Sequence, residues 1–369
     1  MRARSRVLLG AVLCAIVLAP SAALSRETPV IAPEIEATVD RGAAPIASAF
    51  VAPLAPLPKA AEPDPVVDVR DAQATGYFGS MKHVWQSLNN CGPAAVVMGL
   101  STLGVDVDQE TARVPLRGES VLRGMGPQGV PAFVSQWGLT AMWRNNGTNA
   151  LIKRLISNGF APMVTQWMQD PRISRIAHWR AVRGYDDDAG VFYVNDSMLG
   201  NGVQLGYQWF SDNWQAFSYR YMVIYRPEDE AKLRAIVGDD WSDTKMRENF
   251  YLRTRTEALA RDDSASWLAY GEASYQFGMF AEAVAAFDRG MKLGSATGVF
   301  TLRSSLPQAL RALGRLQDAD TWQGKLQSIT PVPSTVAAEP DRVAVSLFEQ
   351  RARFAAFQAL PYDAVRLTR

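Results

Sequence analysis

Residues 91–104 read CGPAAVVMGLSTLG, and they restrict the fold of this chain more than any other stretch. The stretch has the length of a helix, and Gly104 is a natural stop for one. From Ala94 to Leu103 the residues are apolar on nearly every side, so a helix here must be covered by other elements rather than lie on a surface. We therefore predict a buried helix from Cys91 to Leu103 inside a sizeable core.

Further helical and strand-like segments follow this helix. Residues 126–138 suit a second helical stretch, and residues 149–159 suit a short amphipathic helix. Apolar, β-rich runs predict five strands, at residues 139–145, 161–168, 178–185, 190–196 and 219–226. An acidic turn should join the third and fourth of these as a hairpin. Helices first and antiparallel strands afterwards predict an α+β domain over residues 76–226.

The N-terminus has the features of an export signal. Three arginines among the first six residues precede an apolar run from Val7 to Leu18, which Pro20 and several small residues follow. This pattern predicts a signal peptide over residues 1–24, and the run is short for the alternative, a retained membrane anchor. Residues 25–75 are rich in Pro and Ala without a persistent period, which predicts a linker. We expect an exported protein, periplasmic or secreted.

The charge balance excludes one class of partner. The chain has 38 Lys and Arg against 37 Asp and Glu, a formal net charge of +1, and no basic block stands out. We therefore expect no nucleic-acid binding. Three consecutive aspartates, Asp186 to Asp188, are most simply a solvated hairpin tip, because no further ligand cluster stands nearby. We predict no metal site.

Cys91 is the only cysteine outside the predicted signal peptide, because the other one, Cys14, lies within it. Disulfides are the usual reason for cysteine in an oxidising compartment, and Cys91 has no partner in its own chain. A buried packing thiol, an intermolecular bridge or a reactive thiol are the alternatives. Asn90 suits an N-cap and Pro93 a first turn, which places Cys91 at a helix N-terminus, where the thiolate is favoured. Gly92 leaves room for a substrate backbone.

A nucleophilic thiol needs a base, and the chain contains only two histidines, His83 and His178. His178 opens the first strand of the predicted hairpin, and Asp196 ends the second. Because these ends lie side by side in an antiparallel pair, Asp196 can orient the His178 imidazole. The structural alternatives are a histidine satisfied at a strand end and an aspartate that caps the strand. We predict nucleophile, base and orienter at Cys91, His178 and Asp196.

The oxyanion formed on a carbonyl also needs donors. The backbone N–H of Cys91 is one, and the side-chain amide of Gln86 is a second if a tight loop returns it over the helix start. An exposed polar loop residue is the alternative for Gln86. This chemistry requires no metal and no organic cofactor.

The segment Q-S-L-N-N-C-G-P-A, followed downstream by H-W-R-A-V-R-G-Y-D and Y-V-N-D, resembles the papain-like cysteine peptidases of the bacteriocin-processing, double-glycine-leader type. It looks like their secreted stand-alone relatives, and the likeness covers about residues 76–226. The resemblance implies a papain-like fold with a buried N-terminal helix and an antiparallel sheet. It also implies Cys91 as nucleophile, His178 as base, Asp196 as orienter and Gln86 as oxyanion residue.

Two features depart from that family. Ser197 stands where many relatives have proline, and the chain has neither a G-x-x-x-x-G-K-[ST] motif nor a set of membrane spans. The transporter portion of the bacteriocin exporters is therefore absent from this sequence.

Beyond Pro227 the sequence becomes helical. Four residues have offsets that resemble the tetratricopeptide pattern of a 34-residue helix pair, namely Trp267, Gly271, Ala283 and Phe287. A weaker copy follows, with Ala319 standing 36 residues after Ala283. We predict an all-α, tetratricopeptide-like domain over residues 227–369, with a plain helical bundle as the alternative.

These features together predict an exported cysteine peptidase that hydrolyses an amide bond through a thioester. The alternatives on the same fold are an acyl transferase and a peptidoglycan amidase or endopeptidase. A third hypothesis is a non-catalytic secreted adaptor. The expected partners are a peptide or protein substrate and a protein bound by the C-terminal helices, with membrane contact only through an uncleaved N-terminal anchor.

Overall fold

The structure is a computed structural model that describes residues 67–120, 124–168, 177–294 and 301–329. The described residues belong to one compact unit. The predicted signal peptide and most of the predicted linker lie outside them. Within the described ranges, no helix combines the length and the apolar character needed to cross a membrane.

A seven-stranded antiparallel sheet forms the centre of the first domain. Its strands are β1 (Thr75–Tyr77), β2 (Thr140–Arg144), β3 (Pro162–Trp167), β4 (Ala177–Asp186), β5 (Val191–Asp196), β6 (Gly200–Gly206) and β7 (Tyr221–Tyr225). The order across the sheet is β2-β7-β3-β4-β5-β6, and β1 pairs with the second half of β4. All five predicted strands are present, and β4 and β5 form the predicted hairpin.

One face of the sheet is covered by the buried helix that the sequence predicts. This helix, α1 (Cys91–Ser101), packs with α2 (Gln109–Arg117) and α3 (Val130–Val134). Its residues from Gly92 to Leu100 are all buried, and they share a core with Met163, Trp179 and Met222 of the sheet. The α+β architecture is therefore as predicted, although α1 ends two residues earlier than Leu103.

The opposite face is covered by helices from two parts of the chain. From the first domain come α4 (Asn149–Ser157) and α5 (Tyr207–Gln215), and from the C-terminal region come α6 (Glu230–Val237), α7 (Asp243–Arg261) and α8 (Ser264–Phe277). Leu233, Phe250 and Ala273 of this region belong to the same apolar cluster as Val164 and Val194 of the sheet. The predicted boundary at residue 226 thus separates two segments that share one core.

The C-terminal region is helical, as predicted. After α8 it continues with α9 (Phe280–Leu293), α10 (Leu302–Ala312) and α11 (Leu316–Ile329). Ala283 and Phe287 of α9 are fully buried, and a Cβ built at Gly271 of α8 would lie 2.5 Å from the Phe287 ring. A close antiparallel helix pair is therefore present, and its identity as a tetratricopeptide repeat remains a prediction.

The folded domain begins earlier than residue 76. The Arg70 backbone N–H donates to Asn158 Oδ1 at 2.9 Å, and the Gln73 backbone N–H donates to Ser157 Oγ at 3.3 Å. The last residues of the predicted 25–75 linker therefore contact α4 before the chain enters β1.

Candidate active site

Cys91 is the first residue of α1 and keeps part of its surface exposed. Backbone N–H groups of Gly92 and Trp179 point towards its sulfur. Trp179 lies on β4, which packs directly beneath α1. The helix N-terminus and these amides all favour a negative charge at this position.

Asn90 holds the start of α1 in a different way from the predicted N-cap. Its side chain makes no capping hydrogen bond. Instead, Asn90 Nδ2 donates to Gln109 Oε1 at 2.8 Å, and Asn90 Oδ1 accepts from Arg117 Nε at 3.0 Å. Arg117 also donates to the Leu88 carbonyl at 3.2 Å. The loop before Cys91 is therefore fixed by α2 rather than by a cap, and a buried cation lies within electrostatic reach of the thiol.

Gly92 also differs from the expectation that it leaves space for substrate. A Cβ at this position would lie 2.5 Å from the Met125 side chain. Gly92 is thus required by the close approach of Met125 inside the core. The room next to residue 92 is already filled.

His178 and Asp196 lie together, as predicted from the pairing of the two strands of the hairpin. His178 Nε2 and Asp196 Oδ1 are 2.9 Å apart, and both side chains are buried. The other ring nitrogen, Nδ1, is buried and makes no hydrogen bond of standard geometry with a described residue. Its interaction with the Cys91 sulfur is a looser contact that still shifts the pKa of both groups. Long catalytic contacts of this kind are common in unliganded sites.

The pKa shifts of the three groups favour an ion pair. Burial disfavours the His178 imidazolium, but the Asp196 carboxylate and the neighbouring thiolate outweigh burial and raise the pKa of His178 to about 9. Burial likewise opposes the Cys91 thiolate, yet the hydrogen bond and charge of His178 lower the pKa of Cys91 below its usual value. The pKa of Asp196 is held far below its usual range, against burial, by the charges of His178 and Arg180. A thiolate–imidazolium pair is the resting state that these shifts favour.

Arg180 is a site residue that our sequence analysis did not identify. Its Nε donates to Asp196 Oδ2 at 2.7 Å, and the rest of its buried guanidinium donates to Gln166 Oε1 and to the carbonyls of Trp167 and Met168. Asp196 Oδ1 additionally accepts the backbone N–H groups of Met198 and Leu199. A strand alternates its faces, so Arg180 stands on the same face as His178 two residues earlier. An arginine on the same face as His178 in a largely apolar strand was the sequence signal that could have identified this residue.

Gln86 is buried beside the end of β5. Its backbone N–H donates to the Ser197 carbonyl at 3.0 Å, and its side-chain Oε1 accepts from Ser197 Oγ at 2.7 Å. The exposed-loop alternative for Gln86 is therefore wrong. His83, the second histidine, donates through Nε2 to the Asp196 backbone carbonyl, 2.9 Å away, and packs edge-on against Trp85. It does not contact the Asp196 carboxylate.

The domain that contains Cys91, His178 and Asp196 matches a known protein family. Residues 73–222 match the sequence profile of the Peptidase_C39-like family. The domain is C39 peptidase-like. This match agrees with the resemblance carried by the segments around Cys91, His178 and Asp196. A search of curated proteins found no match.

Several solved structures are similar to the C39-like domain. A protein of Bacillus anthracis described as a C39-like peptidase shares 11% identity, over 41% of this chain and 98% of its own, with a TM-score of 0.33. The peptidase domain of Streptococcus ComA, a bifunctional ABC transporter of a quorum-sensing pathway, shares 14% identity over 40% and 98%, with a TM-score of 0.32. A double glycine motif protease from an AMS/PCAT transporter, solved with its leader peptide, shares 19% over 42% and 99%, with a TM-score of 0.32.

Proposed function

We propose that this protein is an exported cysteine peptidase that hydrolyses a peptide bond of a peptide or protein substrate. The observation that carries the proposal is the set formed by Cys91 at the start of α1, His178 against it, and Asp196 bound to the far side of the imidazole. Nucleophile, base and orienter in this relation are what an activated thiol requires. The family match over residues 73–222 supports the same reaction class.

The first half of the reaction forms a thioester. The Cys91 thiolate attacks the carbonyl carbon of the scissile bond, so a C–S bond forms and the carbonyl electrons move to oxygen. The oxyanion accepts hydrogen bonds from the Cys91 backbone N–H and from the Gln86 amide nitrogen. As the carbonyl re-forms, the C–N bond breaks, and the His178 imidazolium gives its proton to the leaving amine.

The second half returns the enzyme to its starting state. The neutral His178 takes a proton from water, whose oxygen attacks the thioester carbonyl. Collapse of the second oxyanion breaks the C–S bond and releases a carboxylic acid and the Cys91 thiolate. Asp196 keeps the imidazole oriented throughout and stabilises its positive charge, while remaining ionised because of its low pKa.

Export and partner binding complete the proposal. Export rests on the basic and apolar pattern of residues 1–24. A protein partner would bind through the C-terminal helices, where an apolar groove opens between α9, α10 and α11. The lining of this groove includes Val284, Met291, Leu310 and Trp322.

The test is hydrolysis of a library of internally quenched peptides by the purified protein and its Cys91→Ala variant. We expect cleavage by the wild type only, with equal thermal stability of both proteins. Hydroxylamine should trap the acyl group and give peptide hydroxamates. Cross-linked products with added amines in place of hydrolysis would indicate an acyl transferase. No cleavage, no trapping and an alkylation rate typical of a free thiol would favour a non-catalytic adaptor.

A further inference from the structure

Ser197 makes a contact that the triad does not use. Its side chain is fully buried, and its hydroxyl donates to Gln86 Oε1 at 2.7 Å. Its carbonyl accepts the Gln86 backbone N–H at 3.0 Å, so the two residues are joined twice. Ser197 directly follows Asp196, which binds His178. The end of β5 therefore touches both the base and the residue with the candidate oxyanion donor.

The direction of the amide decides whether Gln86 can act as a donor. An amide turned by half a rotation presents its carbonyl oxygen, which would repel an oxyanion, in place of its two N–H groups. The Ser197 hydroxyl holds Oε1, so the amide nitrogen is turned away from Ser197. This nitrogen makes no hydrogen bond with a described residue. It is also not buried, because it does not belong to the buried polar atoms that lack a partner. It is available to a ligand.

We infer that Ser197 is a positioning residue that fixes the Gln86 amide with its N–H groups towards the oxyanion. The inference rests on the proposed function, because it assigns a role within the same reaction. The dipeptide Asp196–Ser197 would then orient the imidazole with one side chain and the oxyanion donor with the next. Loss of an oxyanion donor reduces turnover by about 10² to 10³ in other hydrolases, so its orientation is worth a comparable factor.

The probe for this role is a small peptide aldehyde, acetyl-glycyl-glycinal, whose glycines fit a cleft of any side-chain preference. The Cys91 thiolate adds to the aldehyde carbon, a C–S bond forms, and the carbonyl electron pair moves to oxygen. His178 supplies the proton of the resulting hemithioacetal. Iodoacetamide is the comparison, because the thiolate displaces iodide from a CH₂ group and no oxyanion develops.

The experiment measures the aldehyde's dissociation constant, from protection of Cys91 against iodoacetamide at pH 6, for wild type, Ser197→Ala, Gln86→Ala and the double variant. We expect Ser197→Ala to weaken aldehyde binding at least tenfold while its alkylation rate stays within about twofold of wild type. Gln86→Ala should weaken binding by about 10². The double variant should be no weaker than Gln86→Ala alone, because Ser197 acts only through Gln86.

Ser274→Ala is the matched control, since Ser274 is a fully buried serine on α8 whose hydroxyl has no hydrogen-bond partner among the described residues. It should leave both readouts unchanged. Wild-type affinity in Ser197→Ala, or losses that multiply in the double variant, would overturn the inference alone. A Ser197→Ala protein that also alkylates slowly would show a general packing role and overturn it as well. Slow alkylation or absent aldehyde binding in the wild type would instead overturn the proposed function, and the inference with it.

Discussion

At the scale of single residues, the reactivity of Cys91 depends on the charge of His178. The raised pKa of His178, about 9, keeps the imidazolium present up to that pH, while the Cys91 pKa is lowered. The ion pair therefore exists between the lowered thiol pKa and about pH 9, and the wild type should alkylate readily at pH 6. In His178→Ala the charge and hydrogen bond of the imidazolium are lost and burial is the largest remaining influence, so the thiol pKa should rise towards or above its ordinary value, leaving less than about 1% thiolate at pH 6.

The measurement is the rate of iodoacetamide labelling from pH 5 to 10. We expect His178→Ala to slow labelling about 10²-fold or more at pH 6 and little at pH 10. His83→Ala is the control, because His83 lies nearby and its hydrogen bond goes to the Asp196 backbone carbonyl. Identical pH profiles for wild type and His178→Ala would make Cys91 a packing residue.

Arg180 gives a second prediction at this scale. Its guanidinium is buried with the Asp196 carboxylate and donates to three further acceptors, so Arg180→Met leaves a buried anion short of a partner and removes three further hydrogen bonds. Removing one member of such a pair costs about 3–5 kcal/mol. Urea unfolding should show this loss in Arg180→Met, whereas Arg113→Met, which breaks an exposed pair with Glu110, should cost less than about 1 kcal/mol. Equal losses in both variants would contradict a structural role for the buried pair.

The sequence allowed some of these residues to be located and not others. Cys91, His178 and Asp196 could be placed together because helix starts and hairpin ends follow from local patterns and the chain has only two histidines. The contact of Ser197 with Gln86 spans 111 residues, and that of Arg117 with Asn90 spans 27. No local pattern encodes such pairs, because they depend on how distant elements pack.

At the scale of elements, a helix or strand could be predicted from the sequence where its apolar residues recur with a clear period. The five apolar strands and α1 and α4 were found because their patterns are continuous. The missed elements carry conflicting signals: α2 contains Pro115, and β6 contains Gly202 within a run of mostly half-exposed residues. These segments take their form from tertiary contacts, since β6 pairs with β5 and α2 packs on α1.

The helix pair α8 and α9 supplies a prediction at this scale. A methyl group added at Gly271 would lie 2.5 Å from the Phe287 ring, which is fully buried. Gly271→Ala should therefore lower the free energy of unfolding by about 1–3 kcal/mol. Gly324→Ala in α11 is the matched control, because nothing lies within 4 Å of its added Cβ. It should be neutral or stabilise by about 0.5–1 kcal/mol through helix propensity. Stabilisation by both changes in thermal unfolding would rule out close packing at Gly271.

At the scale of the whole molecule, the C39-like domain and the C-terminal helices share one core. Leu233, Phe250 and Ala273 lie in the apolar cluster of the sheet face opposite α1. Polar contacts join the same parts, because Arg253 donates to the Gly147 carbonyl and stacks over Tyr219, with its carbon Cζ 4.1 Å from the ring centre. The first helices after residue 226 are therefore an integral layer of the fold, while α10 and α11 pack on α8 and α9 in a separate cluster.

Two truncations separate these layers. A chain that ends at residue 226 loses α6 to α11 and exposes the part of the sheet face that α6 to α8 cover, so we expect aggregation or loss of cooperative unfolding. A chain that ends at residue 294 keeps this layer and loses only α10, α11 and the residues C-terminal to them, so it should remain folded, although it exposes the apolar surface of α9. Because α1 and the β4–β5 hairpin lie within the part that stays covered, its Cys91 should still alkylate quickly at pH 6. Calorimetry and the labelling rate check both forms. A monomeric, fully reactive 226-residue form would show that the C39-like domain completes its core without the helices, and that they are attached rather than integral.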